Sequence, residues 1–197
     1  MNDLLLLVGS YAIGCLSAGY YLVKSLKGLD VRQLGSGSTG ARNVSRVFGT
    51  RGFVLTVLLD AIKGGGTVWI VRAVTESNWI AAASIIAVVC GHIWPVQLRF
   101  RGGKGVAPAT GGLLIYDPLI ALLSAGVFSL GLVAFRNVTL GGLAAVAVSP
   151  IVTYVLGRPL EELVLTTALA VLILFAHRTN LRKEFASLRK SHNERKS

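Results

Sequence analysis

Residues 34–49, "LGSGSTGARNVSRVFG", read G-x-G-x-x-G at Gly35, Gly37 and Gly40. In a soluble α/β protein this spacing is a dinucleotide fingerprint, and Asp60 falls about where a ribose-binding acid would stand. The fingerprint requires a strand before it and a βαβ unit around it. Here the preceding segment is the apolar run "LLLLVGSYAIGC" followed by a short basic linker, and Asp60 lies inside another apolar run. The context excludes a nucleotide-binding sheet. What survives is simpler: glycines that bring backbone N–H groups close together, small hydroxyl donors between them, and Arg42 and Arg46 to neutralise charge. That is the grammar of an anion-binding loop leading into a helix.

The rest of the 197-residue chain is written for lipid. It is 53% hydrophobic and only 15% charged, against roughly 25% charged in soluble domains. Apolar segments recur at 4–23, 53–71, 79–98, 106–116, 119–135, 140–156 and 163–176. Several are long enough to cross a hydrocarbon layer of about 30 Å at about 1.5 Å per residue. The N-terminal run has no basic residues before it, which argues for a retained span over a cleaved signal peptide. Pro108, Gly111 and Gly112 interrupt the short fourth segment. The expected fold is all-α: one polytopic membrane domain over 1–197 with about seven transmembrane helices and a basic tail at about 183–197.

The net charge of +11 follows from topology. Of the 20 Lys and Arg residues, Lys63 lies within a span and only Arg72 and Arg158 fall on one side; all the others fall on the opposite side. The positive-inside rule makes that basic side cytoplasmic, with the N-terminus outside and the C-terminus inside. Nucleic acid is not needed to explain the charge. Cys15 and Cys90 show no metal or redox spacing and read as packing residues.

The anion-binding loop then faces the cytoplasm with two other polar stretches, "RFRGGKG" at 99–105 and "HRTNLRKEF" at 177–185. "RGGKG" is not a Walker A motif, because Gly105 follows Lys104 where Ser or Thr is required. Lys104 between glycines can still approach a phosphate closely as a point charge. His92 and Pro95 sit near the cytoplasmic end of the third span. His177 and Asn180 are about one helical turn apart after the last. Asp60 and Lys63, at i and i+3 inside a span, are costly there and read as structural support of a site.

The order and spacing of "GSGSTGARNVSR", "LDAIKG", "GHIWPVQLRFRGGKGVA" and "HRTNLRKEF" resemble the PlsY family of bacterial membrane glycerol-3-phosphate acyltransferases over nearly the whole chain. The resemblance implies transfer of a fatty acyl group from acyl phosphate to the 1-hydroxyl of glycerol 3-phosphate. The products would be 1-acylglycerol 3-phosphate and phosphate, in phospholipid synthesis at the bacterial inner membrane. It implies no cofactor and no metal, and a separate enzyme that supplies acyl phosphate. Four positions depart from the usual pattern: Ser38 stands for Asn, Arg42 for Thr, Pro108 for Thr and Thr139 for Ser.

On this reading Ser36, Gly37, Gly40 and Asn43 take one phosphate, with Arg46 and Lys104 offsetting charge. His177 and Asn180 orient glycerol 3-phosphate with help from Thr139, and His92 is a weaker candidate base. Lys104, His177 and Asn180 form the expected catalytic set. No Ser or Cys stands in a nucleophile–His–acid arrangement, so transfer should be direct. A transporter or channel for a phosphorylated metabolite is the alternative. It would place polar groups near the midplane with access from both sides, whereas here they gather on one side.

Overall fold

The computed structural model describes residues 2–182; the expected basic tail at 183–197 lies outside the described residues. These form helices α1 (Asp3–Cys15), α2 (Ala18–Lys27), α3 (Ala41–Val74), α4 (Asn78–Ile93), α5 (Val106–Tyr116), α6 (Pro118–Phe135), α7 (Val138–Val155) and α8 (Leu160–Ala176). Short 3₁₀ turns at Val31–Gln33 and Val96–Leu98 precede the two polar loops. Five segments are long and apolar enough to cross a membrane, the first combining α1 and α2. Helix α5, with 11 residues, reaches only about 16 Å. It is held between α3, α4 and α6.

The expected span at 4–23 is present within Asp3–Lys27, but it is built from two helices broken at Leu16 and Ser17, both in extended conformation. In lipid the loose carbonyls of such a break cost several kcal/mol each unless they are capped. Side chains cap all three. Lys63 Nζ donates to the Gly14 and Leu16 carbonyls at 3.1 and 2.8 Å, and Gln97 Nε2 donates to that of Cys15. The third expected span, 79–98, matches the apolar segment Asn78–Leu98, but its α-helix ends at Ile93. Pro95 drives Trp94 out of the helical region. Helix α3 extends twelve residues ahead of the expected 53–71 span and bends at Gly49 (φ 60°).

Helices meet through small residues, as expected where no hydrophobic drive separates protein from lipid. A Cβ on Gly64 would sit 2.1 Å from the Pro108 carbonyl, and one on Gly111 2.0 Å from that of Ala61, so α3 and α5 touch backbone to backbone. Gly14 and Gly91 do the same between α1 and α4. Ile85, Val88, Val89, Leu165 and Ile173 form a fully buried core around α4 and α8. Large side chains such as Ile62, Leu130, Val133 and Val155 face outward, a surface suited to lipid and not to water. Helices α6 and α7 pair with each other and join the bundle through α5 and α8. A cavity remains between that pair and α3.

Candidate active site

The anion loop is built around Asn43, which is 2% exposed. Its Oδ1 accepts from the Ser36 N–H at 3.0 Å, and its Nδ2 donates to the carbonyls of Val31, Leu34 and Ser38 at 2.8–2.9 Å. An amide has two N–H donors, and three carbonyls take both, so Asn43 has no donor left for a ligand. Its expected contact with a phosphate is corrected: it lines the cavity but its side chain ties the loop together. Gly37 is corrected likewise. It is absent from the cavity wall, and its N–H donates to the Leu34 carbonyl at 2.9 Å. Gly35 has φ 53°, and a Cβ there would lie 2.0 Å from Arg46 Nη1. Its missing side chain lets the guanidinium lie across the loop.

The Lys104 loop is stitched to this one. The Thr39 N–H donates to the Gly102 carbonyl at 3.2 Å, and Arg32, paired with Asp30 at 2.7 Å, donates to the Leu98 carbonyl at 2.7 Å. That pairing holds the Asp30 carboxyl below its ordinary range. The Gly103 N–H donates to the His92 carbonyl at 2.9 Å. A Cβ on Gly103 would sit 2.0 Å from His92 Nε2, so only glycine lets the loop lie on the imidazole. Lys104 thus enters the cavity from a backbone fixed on both sides.

The two histidines have opposite hydrogen-bonding character. His177 Nδ1 lies 2.8 Å from the Ile173 carbonyl. A carbonyl only accepts, so Nδ1 carries the proton and Nε2 presents a lone pair. Burial pushes the His177 pKa down to about 4, with the Lys104 charge adding to the effect and the Ile173 bond opposing it. His92 Nδ1 instead receives a hydrogen bond from Lys63 Nζ at 2.9 Å. Its proton is therefore on Nε2, the state of a donor, and His92 is corrected from candidate base to donor. The expected Asp60–Lys63 pair is present at 2.9 Å. Asp60 lines the cavity and Lys63 does not.

One cavity of about 740 Å³ collects Ser36, Gly40, Asn43, Arg46, His92, Lys104, Thr139, His177 and Asn180. It is charged at one end, with Arg42, Arg46 and Lys104. Elsewhere Phe53, Val57, Leu113, Phe128, Val146 and Leu169 make it apolar. Arg42 Nη1 donates to Thr139 Oγ1, bridging the first turns of α3 and α7. The sequence offers Arg42 both as a charge-neutralising cation of the loop and as a departure from the family pattern. Its i, i+4 spacing to Arg46 sets both guanidinium groups on one face of α3. Such a cavity can hold anionic groups at its charged end, admit an aliphatic chain along its wall, and offer a neutral imidazole acceptor to a hydroxyl.

Comparison with known proteins gives the same picture. The family model described as glycerol-3-phosphate acyltransferase matches residues 4–187. Glycerol-3-phosphate acyltransferase 1 of Desulfitobacterium hafniense is 47% identical, over 93% of this chain and 91% of its own length. Glycerol-3-phosphate acyltransferase of Halalkalibacterium halodurans is 40% identical, over 91% and 90%. The crystal structure of PlsY (YgiH), an integral membrane glycerol 3-phosphate acyltransferase, in its glycerol 3-phosphate form superposes with a TM-score of 0.86 at 33% identity, covering 94% of this chain and 92% of that one. The lysophosphatidic acid form gives 0.84 at 32%, with the same coverage. A helical membrane bundle, a cation-rimmed cavity and this degree of likeness along almost the whole chain lead to one conclusion: the chain belongs to the PlsY family of glycerol-3-phosphate acyltransferases.

Proposed function

We propose that the chain transfers a fatty acyl group from acyl phosphate to the 1-hydroxyl of glycerol 3-phosphate. The products are 1-acylglycerol 3-phosphate and inorganic phosphate. The observation that carries this reading is the polarity of the cavity, cationic at one end and apolar along its wall. Both substrates bring a phosphate and one brings a tail, so both heads can meet the cations while the tail lies among the helices. The glycerol 3-phosphate and lysophosphatidic acid forms of the related PlsY structure support the choice of acceptor and product.

Acyl phosphate is a mixed anhydride, so its leaving group needs little activation. The enzyme's work is to bring two anions together and align a hydroxyl with a carbonyl, which is entropically the costly step. Arg46 and Lys104, with the Ser36 hydroxyl, hold phosphate, and Gly40 lines the cavity beside them with its N–H donated to Ser38 Oγ at 3.1 Å. His177 Nε2, Asn180 and Thr139 fix the acceptor's orientation. The hydroxyl oxygen attacks the acyl carbonyl carbon, and the bond from that carbon to the phosphate oxygen breaks. The hydroxyl proton leaves with the departing phosphate. Arg42 adds a third cation at the rim.

The charged end belongs on the cytoplasmic side of the plasma membrane in a seven-span topology, with the N-terminus outside. The distribution of cations supports this. Arg42, Arg46 and Lys104 lie at one end of the helices, while Arg72 and Arg158 lie on the turns at the other. Purified protein in lipid nanodiscs, given labelled glycerol 3-phosphate with either acyl phosphate or acyl-CoA, tests the donor. Product from acyl phosphate only is the expected result, and product from acyl-CoA only would overturn the reading.

The protonation of His177 gives a pH prediction. Its folded pKa, about 4, lies below the ordinary value of about 6.5. The unfolded chain therefore binds a proton first as pH falls, and stability declines between about pH 6.5 and pH 4. A His177→Gln variant lacks that contribution. Its thermal midpoint should fall less steeply over the same interval, measured by thermal scans in nanodiscs.

A further inference from the structure

Lys63 lies outside the cavity wall, yet it joins a closed ring of contacts around the site. Lys63 Nζ donates to the Leu16 carbonyl at 2.8 Å. The next residue, Ser17, is fully buried, and its hydroxyl lies 3.1 Å from that of Thr39 in the anion loop. The Thr39 N–H donates to the Gly102 carbonyl, the Gly103 N–H donates to the His92 carbonyl, and His92 Nδ1 returns to Lys63 Nζ at 2.9 Å. One arm of the ring carries the anion loop and the other carries the segment that presents Lys104.

We propose that Lys63 is a positioning residue for acyl transfer: by capping the broken first helix and holding His92, it sets the spacing between the anion loop and Lys104. This rests on the reading that the two loops hold the two phosphates in one reaction. Each loop keeps its own shape without Lys63. The anion loop is tied internally by Asn43, and the Lys104 segment by its bonds to Ile93 and His92. Arg32 holds their outer edges together through Leu98. The Thr39–Gly102 bond still joins the loops at one point, so loss of Lys63 leaves two competent anion sites that can pivot about that joint with their mutual alignment relaxed. A shift of about 1 Å in such an alignment costs about a hundredfold in rate. Asp60 has a different task. It balances the Lys63 charge, and removing one partner alone would strand a buried charge.

The test uses two variants of the full chain in nanodiscs. In Asp60→Asn/Lys63→Met the charge pair leaves together. In Ser17→Ala/Thr39→Val a different link of the ring is cut, and removing both hydroxyls at once leaves no orphaned donor. Neither Ser17 nor Thr39 lines the cavity. Both variants should lose about tenfold to a hundredfold in kcat while the KM for each substrate stays within about threefold. Combined, they should lose little more than either does separately, because they cut the same ring. Should the first variant fail to fold, the second decides. A kcat within about threefold of the parent in a folded variant, a KM rise with kcat unchanged, or losses that simply multiply would each overturn the proposal.

A readout without turnover separates this from the acyl-transfer reading. Spin labels at Gln33→Cys and Arg101→Cys, with Cys15 and Cys90 replaced by Ala, report the loop spacing directly. The distance distribution should shift or broaden in both variants. An unchanged distribution would overturn the spacing role and leave Lys63 as a helix cap and the counter-charge of Asp60. An unaltered parent protein that makes no product, with the labels still moving in the variants, would count against acyl transfer and for Lys63 as the spacer.

Discussion

An Asn43→Asp variant should lose at least about a hundredfold in kcat/KM and melt earlier than the parent, although the two side chains have nearly the same size. Asn43 Nδ2 faces three carbonyl oxygens, those of Val31, Leu34 and Ser38, all within 2.9 Å. Aspartate would place a carboxylate oxygen against them in a site with 2% exposure. Two hydrogen-bond donors vanish and like partial charges meet. A buried acceptor left without a donor costs about 1–3 kcal/mol, and more when charged. The carboxylate would also be drawn to the Arg46 guanidinium, which lies over Gly35 beside Asn43 Oδ1. That attraction would take Arg46 from substrate. Steady-state kinetics with both substrates and thermal scans in nanodiscs check both halves. Activity within about fivefold of the parent would show that the loop does not depend on the Asn43 tie.

A Lys104→Ala variant should lose about a thousandfold in kcat/KM with a thermal midpoint close to the parent's. The glycines around Lys104 hold its backbone against His92 and the Gly102 segment, so the backbone bonds that shape the loop survive the change. The Lys104 charge adds, after burial, to the lowering of the His177 pKa. A donor aimed at developing charge in a site that excludes water contributes about 10²–10³ in rate, and loss of phosphate binding adds to that. Lys104→Arg should recover only part of the activity. The planar guanidinium is larger and cannot take the place of a compact ammonium between Gly103 and Gly105.

Much of this architecture is legible in the order of the residues. Helices α5 to α8 fall within three residues of the expected segments at every boundary, because Asp117, Asn137 and the glycine-containing turns punctuate long apolar runs. Asp117 and Asn137 also cap α6 and α7 through their own side chains. The break between α1 and α2 is invisible locally, since "AIGCLSAGYY" contains no proline and reads as continuous helix. Its cause lies elsewhere, in Lys63 and Gln97, whose side chains satisfy the opened carbonyls.

The site divides along the same line. That Ser36, Gly40, Arg46, Lys104, Thr139, His177 and Asn180 gather on one cavity follows from three polar loops falling on one side of a helical bundle. What each side chain does there depends on the partners that the fold brings to it. Asn43 reads as a donor to ligand until its neighbours are seen to exhaust it. The two histidines look alike in sequence. They differ because one sits beneath a carbonyl one turn back in its own helix, and the other meets a lysine from α3. The Arg42–Thr139 bridge joins residues 97 positions apart, and local spacing carries no trace of it.

The most direct test is the stoichiometry of phosphate release. Purified protein in lipid nanodiscs would receive an acyl phosphate, first without and then with glycerol 3-phosphate, while phosphate, 1-acylglycerol 3-phosphate and protein-bound acyl groups are measured together. Direct transfer between two anions in one cavity predicts little phosphate release without the acceptor. With it, one phosphate should appear per 1-acylglycerol 3-phosphate, and no acylated protein at any time. A burst of phosphate before the acceptor is added, matched by acyl groups on the protein, would contradict it.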